Sequence, residues 1–169
     1  MRGRILDRSG VAAICATWVA GCLIAPAFAA AGDADPPNKA AALPVGFDEQ
    51  KLRGELPAGE PFIDPAAILK GKSSPRGEVL FRGEELIVEI YADDEVKIRA
   101  SQPFPHDEFI YILSGDLLLT GTDGIERHYN AGDTLMIPKG FTGIWHQSEN
   151  FRELVVIERK AYDATYGSE

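Results

Sequence analysis

One stretch limits what this chain can become. Phe104–Gln147 reads FPHDEFIYILSGDLLLTGTDGIERHYNAGDTLMIPKGFTGIWHQ. Glu108 is followed by six residues and Gly115; Gly132 is followed by five residues, Pro138-Lys139-Gly140, two more residues and Gly143. Apolar runs this short, broken by Gly, Asp, Asn and Pro, read as antiparallel strands rather than helices. The same texture covers Val79–Phe81, Leu86–Tyr91, Val96–Ala100, Phe109–Leu113, Leu117–Thr120, Ile125–Tyr129, Leu135–Ile137 and Leu154–Glu158. Short strands at such even spacing predict an all-β sandwich or barrel. Asp123-Gly124 fits a type I′ hairpin turn, in which both central residues need positive φ. Asn130-Ala131-Gly132-Asp133 has the composition of a second turn. Pro138 has no N–H for a sheet ladder and should end its strand.

The paired spacing resembles the two signature motifs of the cupin superfamily. GFTGIW followed by RELVVI is similar to one subset, the ureidoglycine-aminohydrolase-like and ethanolamine-utilisation-like cupins. The resemblance runs from Gly77 to Arg159. It implies a single cupin barrel (double-stranded β-helix, jelly-roll-like) over residues 76–160. The superfamily contains isomerases, epimerases, dioxygenases, aminohydrolases, sugar binders and storage proteins, so the fold alone selects no activity. Its metal-binding members bring three histidines and one glutamate into the barrel. Glu108 matches the glutamate. The two upstream histidine positions hold Gln102 and Phe104, or Ser101 and Pro103 if the spacing is one longer, and the last holds Gly143. A catalytic transition metal usually needs three or more protein ligands, so a standard site is not expected.

Residues two apart on a strand share a face. Glu108, Ile110 and Ile112 therefore share one face, which the resemblance turns into the barrel. Phe109, Tyr111 and Leu113 share the other, to be covered by an N-terminal arm, a second sheet or a partner subunit. A buried Glu108 has two readings. Desolvation raises its pKa and suits it to general acid or base work, or it is held by Tyr111, Gln102 or Arg99 and does no chemistry. His106 either sits at the barrel mouth beside Glu108 or lies on an exposed turn. His146 either approaches Glu108 across the barrel or lies on an exposed strand. His128 reads as a surface residue. Glu108, His106 and His146, with Gln102 as a weak fourth, form the one nonstandard set for Mn, Fe, Ni or Zn. Trp145 offers a flat apolar wall and one N–H donor, or is plain core. Glu108, Trp145, His106, His146, Gln102 and Tyr111 are thus the candidate ligand-binding residues, with Glu108 the candidate catalytic group.

Upstream, three arginines and one aspartate precede the apolar run Val11–Phe28, and Ala27-Phe28-Ala29 offers a small-x-small cut. This is the pattern of a cleaved export signal over residues 1–29, and it places the mature protein in the periplasm or outside the cell. Val19-Ala20-Gly21-Cys22 resembles a lipobox, which would instead anchor the chain to a membrane through a lipid on Cys22. Both cysteines, Cys15 and Cys22, fall in this segment, so cleavage after Ala29 leaves no thiol for a disulfide or a metal. Removing residues 1–29, with a net charge of +2, takes the formal charge from −9 to −11. So acidic a chain is unsuited to nucleic acid.

Residues 30–45 are rich in Ala and Pro and read as a flexible linker. Residues 46–75 read as an arm against the barrel, with a helical turn over Asp64–Gly71 capped by Asp64. Residues 161–169 read as a tail. Two functions stay open: a homodimeric cupin binding a small polar molecule such as a sugar, polyol or ureide, or an enzyme of the aminohydrolase-like or isomerase-like kind.

Overall fold

The computed structural model describes residues 43–167. Export signal, lipobox and nearly all of the linker lie outside these residues. Ten strands form two five-stranded antiparallel sheets that face each other. One has the order β1 (Ile68–Gly71), β4 (Val96–Ala100), β9 (Gly143–Gln147), β6 (Asp116–Gly121), β7 (Glu126–Asn130). The other has the order β2 (Arg76–Arg82), β3 (Leu86–Asp93), β10 (Phe151–Glu158), β5 (Glu108–Ser114), β8 (Thr134–Ile137). Apart from Ile125, each apolar run of the sequence lies on one of these strands, because alternation leaves one face to bury. The clearest case is β10, in which Phe151, Glu153, Val155 and Ile157 are buried and the residues between them are not.

The core lies between the sheets and includes Val96, Ile98, Ile110, Ile112, Leu117, Leu119, Ile137, Trp145 and Phe151. Glu108, Ile110 and Ile112 all point into it. On the outer face, Tyr111 is exposed while Phe109 and Leu113 are half-buried. The arm covers only one end of that face. Helix α1 (Glu49–Arg53) and Leu56 set Leu52 and Leu56 against Ile90, Ala92, Leu80 and Leu113. Arg152 ties the arm down by donating to the carbonyls of Leu52 and Gly54, both at 2.8 Å. The arm then turns to the mouth between the sheets, where Ile63 joins the main core and Phe62 packs against it.

Four local expectations change. The helical turn is a single 3-10 turn, Pro65–Ala67, with the Asp64 carboxylate accepting from Ala66 N–H; Ile68–Gly71 is strand. The β6–β7 hairpin is not type I′: Gly124 has φ +70°, but Asn150 alone among the described non-glycine residues has positive φ. The Gly124 N–H closes on the Gly121 carbonyl, and the Asp123 carboxylate accepts from Ile125 N–H and Arg127. An Asx-type turn thus replaces the two-residue loop, and Ile125 leaves the strand for the loop. Strand β9 follows the second motif directly. Residues Arg159–Tyr166 form helix α2, which packs Tyr162 and Tyr166 against Ile87, Val155 and Ile157; the sequence reading had made most of it tail. The turn at Asn130–Asp133 is as expected, with Asp133 N–H donating to Asn130 carbonyl at 2.9 Å. Strand β8 ends at Ile137, before Pro138.

Candidate functional site

Three neighbouring strands of one sheet, β3, β10 and β5, each place a glutamate on the inner face. Glu89 stands opposite Val155, Glu153 opposite Tyr91 and Ile112, and Glu108 opposite Ile157. All three are buried, with 0%, 1% and 1% of their surface exposed. Such burial is rare without a partner. Yet both oxygens of Glu89, and one oxygen each of Glu108 and Glu153, have no well-formed hydrogen bond.

The surroundings set their protonation. Burial pushes Glu153 well above the ordinary carboxyl range, and Glu108 and Glu89 add to the rise. Burial also pushes Glu89 well up, with Glu108 adding, while Tyr162 and Arg82 pull the other way. Glu108 is raised by burial, and His106 opposes that rise. These directions follow from removing water around a charge and placing like charges together.

His106 is buried beside Glu108, with Nε2 3.4 Å from Oε2. The exposed-turn reading fails because the Phe104–Asp107 loop folds inward and packs the imidazole against Tyr166 of α2. The contact is too long for a good hydrogen bond, and neither ring nitrogen has one. His146 is not in this cluster: it lies on the outer side of β9, 3.3 Å from Glu95 Oε1. Gln102 and Arg99 are exposed, and Tyr111 lies on the face opposite Glu108. None of these three holds Glu108. His128 is exposed and contacts Asp116 at 3.1 Å.

A cavity of about 30 Å³ lies at the mouth, lined by Phe62, Ile63, Tyr91, Phe104, Glu108, Trp145 and Glu153 among others. Its aromatic walls come in pairs. Phe104 stacks on Trp145 at 6.4 Å and 11°, and Phe62 meets Tyr91 edge-on at 6.1 Å. Trp145 is therefore a wall, but its N–H is already taken, donating to Gln147 Oε1 at 2.8 Å. Gln147 in turn donates to the Asp94 carbonyl at 3.2 Å, and the Tyr91 hydroxyl to Asp93 at 2.7 Å. Glu153, Glu89, Phe62 and Gln147 were missed from sequence. For the two glutamates the signal was there: each is an acid in the inward register of an otherwise apolar strand.

The three-histidine metal set does not fit this barrel. Phe104 fills its position with a carbocycle, and Gln102 points to solvent. Gly143 cannot carry a side chain, since a Cβ there would lie 2.2 Å from the Thr120 carbonyl oxygen. Among the described residues, no group of three or more His, Cys, Asp and Glu is arranged to hold a metal ion.

Residues 99–162, which take in β5 to β10, match the EutQ-like cupin domain. No curated protein matches the sequence. A crystal structure of a Pseudomonas syringae protein of unknown function aligns with TM-score 0.53 and 20% identity over 61% of this chain and 44% of that one, under half of its length. The Clostridium difficile EutQ protein aligns with TM-score 0.45 and 19% identity over 57% of this chain and 79% of that one. A putative ethanolamine utilization protein from Salmonella typhimurium aligns with TM-score 0.44 and 21% identity over 51% and 70%. Residues 99–162, on the strands that carry Glu108 and Glu153, thus match the EutQ-like cupin domain, and the two facing antiparallel sheets are the barrel that such a match implies.

Proposed function

We propose that this chain is an exported, single-domain cupin that binds a small polar molecule inside the barrel, without a three-histidine metal. The observation that carries the reading is the cavity. Two buried carboxyls, Glu108 and Glu153, line it, and each has an oxygen without a hydrogen-bond partner. A barrel interior that only had to fold gains nothing from such groups, since each unmade buried hydrogen bond costs about 1–3 kcal/mol. A ligand that makes those bonds recovers that cost.

The test is a thermal-shift screen of the full chain with sugars, polyols, ureides and amines, run beside Glu108→Gln. A ligand at about a hundred times its Kd should stabilise by about 2.7 kcal/mol, a shift of a few degrees for a protein of this size. The reading fails if no compound shifts the wild type, or if the shift survives unchanged in Glu108→Gln.

One observation favours a second reading, general acid/base catalysis: the 3.4 Å approach of His106 to Glu108. A buried carboxyl with a neighbouring imidazole is a pair able to move a proton on a bound substrate. Export rests on the basic start, apolar run and small residues of 1–29, and mass spectrometry of the secreted chain separates an N-terminus at Ala30 from a lipidated Cys22. A second copy of the chain is the proposed partner. It is supported by a row of apolar side chains across the outer face of one sheet, Phe81, Val88, Val156, Phe109 and Met136, aligned strand to strand.

A further inference from the structure

We infer that the occupant of the barrel cavity is a small organic cation, a protonated amine whose ammonium group sits between Glu108 and Glu153 against the aromatic walls. The inference rests on the cavity being a ligand site, as proposed above, and names the class of ligand.

The polarity of the lining carries the first part of the argument. The groups in the cavity that donate hydrogen bonds have other acceptors: Trp145 N–H on Gln147, the Gln147 amide on Asp94, the Tyr91 hydroxyl on Asp93. Glu108 Oε2 and Glu153 Oε2 have no hydrogen-bond partner, and a cation that enters between them displaces the proton burial keeps on Glu153 and leaves both as acceptors. A sugar or ureide has as many acceptors as donors and would leave its own acceptors bare. A carboxylate or phosphate would meet like charge. An ammonium group brings donors alone.

The second part is the missing partner. Among the described residues, no lysine or arginine lines the cavity. The charged and titratable groups around the two carboxyls are Glu89, which faces Tyr162 and Arg82, Tyr91, which stands opposite Glu153, and His106, which touches Glu108 from one side. Buried carboxylates are ordinarily paired, and here no described residue supplies a full cation between Glu108 and Glu153. The aromatic pairs Phe104–Trp145 and Phe62–Tyr91 supply the other surface that favours a cation, since ring faces are electrostatically negative.

Size narrows the class. The cavity, about 30 Å³, exceeds the ~10–15 Å³ that a single water needs, and so takes an ammonium head with the carbons next to it rather than a whole metabolite. The alkyl remainder leaves past Phe62 and Ile63. These belong to Glu60–Asp64, a segment with neither helix nor strand, so the ligand's tail replaces or displaces the arm there.

The experiment is calorimetry and thermal shift on the full chain with propylammonium, 3-aminopropanol and tetramethylammonium, each against a neutral counterpart (propanol, propane-1,3-diol, tert-butanol). The variants are Glu153→Gln, which keeps shape and loses charge, and Glu89→Gln, a buried carboxyl that does not line the cavity. The expected result is that at least one primary ammonium binds while its neutral counterpart does not. Affinity should fall at least tenfold in Glu153→Gln and change by less than threefold in Glu89→Gln. Phe62→Ala, which opens the exit, should admit longer amines. Neutral compounds binding as well as the amines, with loss in Glu108→Gln, would overturn the cation while leaving a polar-ligand site standing. Amine binding unaffected by Glu153→Gln would also overturn it. Binding of no compound of either kind would remove both readings.

Discussion

Replacing Glu153 by Gln should make the folded chain less sensitive to rising pH. Glu153 and Glu89 are both held well above the ordinary carboxyl value of 4.5, by burial first and by the neighbouring glutamates second. The sign follows from proton counting. Above that value an unfolded glutamate has lost its proton, while these two folded ones keep theirs. The folded state then binds more protons than the unfolded one, so stability falls as pH rises, until the folded groups ionise. Each retained proton contributes a slope of about 1.4 kcal/mol per pH unit. Two give about 3 kcal/mol per pH unit, Glu108 adding to it for as long as it too keeps its proton, and Glu153→Gln should remove one proton's share of the slope. With a urea m-value near 2 kcal/mol/M, the midpoint should drop by about 1.4 M per pH unit in the wild type and by less in the variant. Carboxyls shifted the other way do not confuse the window. Glu95 is lowered by Lys70 and His146, and Asp123 to about 2 by Arg127, so the stability they bring is lost only on acidification below their ordinary values of 4.5 and 3.8. Tyr91, raised from 10, acts only in strong alkali. The assay is urea unfolding followed by far-ultraviolet circular dichroism from pH 5 to 6.5. A midpoint that is flat or rises with pH, or an equal slope in Glu153→Gln, would refute the reasoning.

Four further outcomes are expected. His106→Ala removes the group that opposes the rise at Glu108, so Glu108 keeps its proton to higher pH and the steep part of the same titration, towards about 4 kcal/mol per pH unit with three protons held, should extend upward. Phe104→Ala, at a site only 4% exposed and stacked on Trp145, should cost about 3–5 kcal/mol in urea unfolding. Gly143→His, tried as a way to restore the missing metal ligand, should fail to fold rather than bind metal, because even a Cβ meets the Thr120 carbonyl oxygen at 2.2 Å; a soluble variant that takes up zinc would contradict this. Met136→Glu, at a side chain 57% exposed in the apolar row, should convert a dimer to a monomer by light scattering, whereas wild type running as a monomer would rule out that face as the contact.

Strands and their faces were legible because period-two alternation records burial directly. That is why Glu108 could be placed in the barrel from sequence, and why Pro138 and the Asn130–Asp133 turn fell where expected. The site was only half legible, for two reasons. The first is that loops carry no period. The fold of Phe104–Asp107 decides whether His106 faces water or Glu108, and the decision comes from Tyr166, sixty residues away in a helix the sequence reading left as tail. The irregular arm hides Phe62 in the same way, since nothing in its spacing announces that it reaches the barrel mouth.

The second reason concerns where polar groups were sought. The motif that carries metal ligands in related barrels points to its neighbours His146 and Tyr111. The structure sends both outward, to Glu95 and to solvent. The acids that do converge, Glu89 and Glu153, lie in LIVEIYAD and FRELVVIE, outside both motifs, in strands that read as plain core. An apolar strand tolerates an inward glutamate only at a cost, so a lone acid in the buried register asks for a partner before any motif does. Applied to β3, β5 and β10 together, that rule finds three acids on adjacent strands and one shared interior, with His106 beside Glu108 and Arg82 acting on Glu89. The unpaired carboxyls of that interior are what the proposed ligand site rests on.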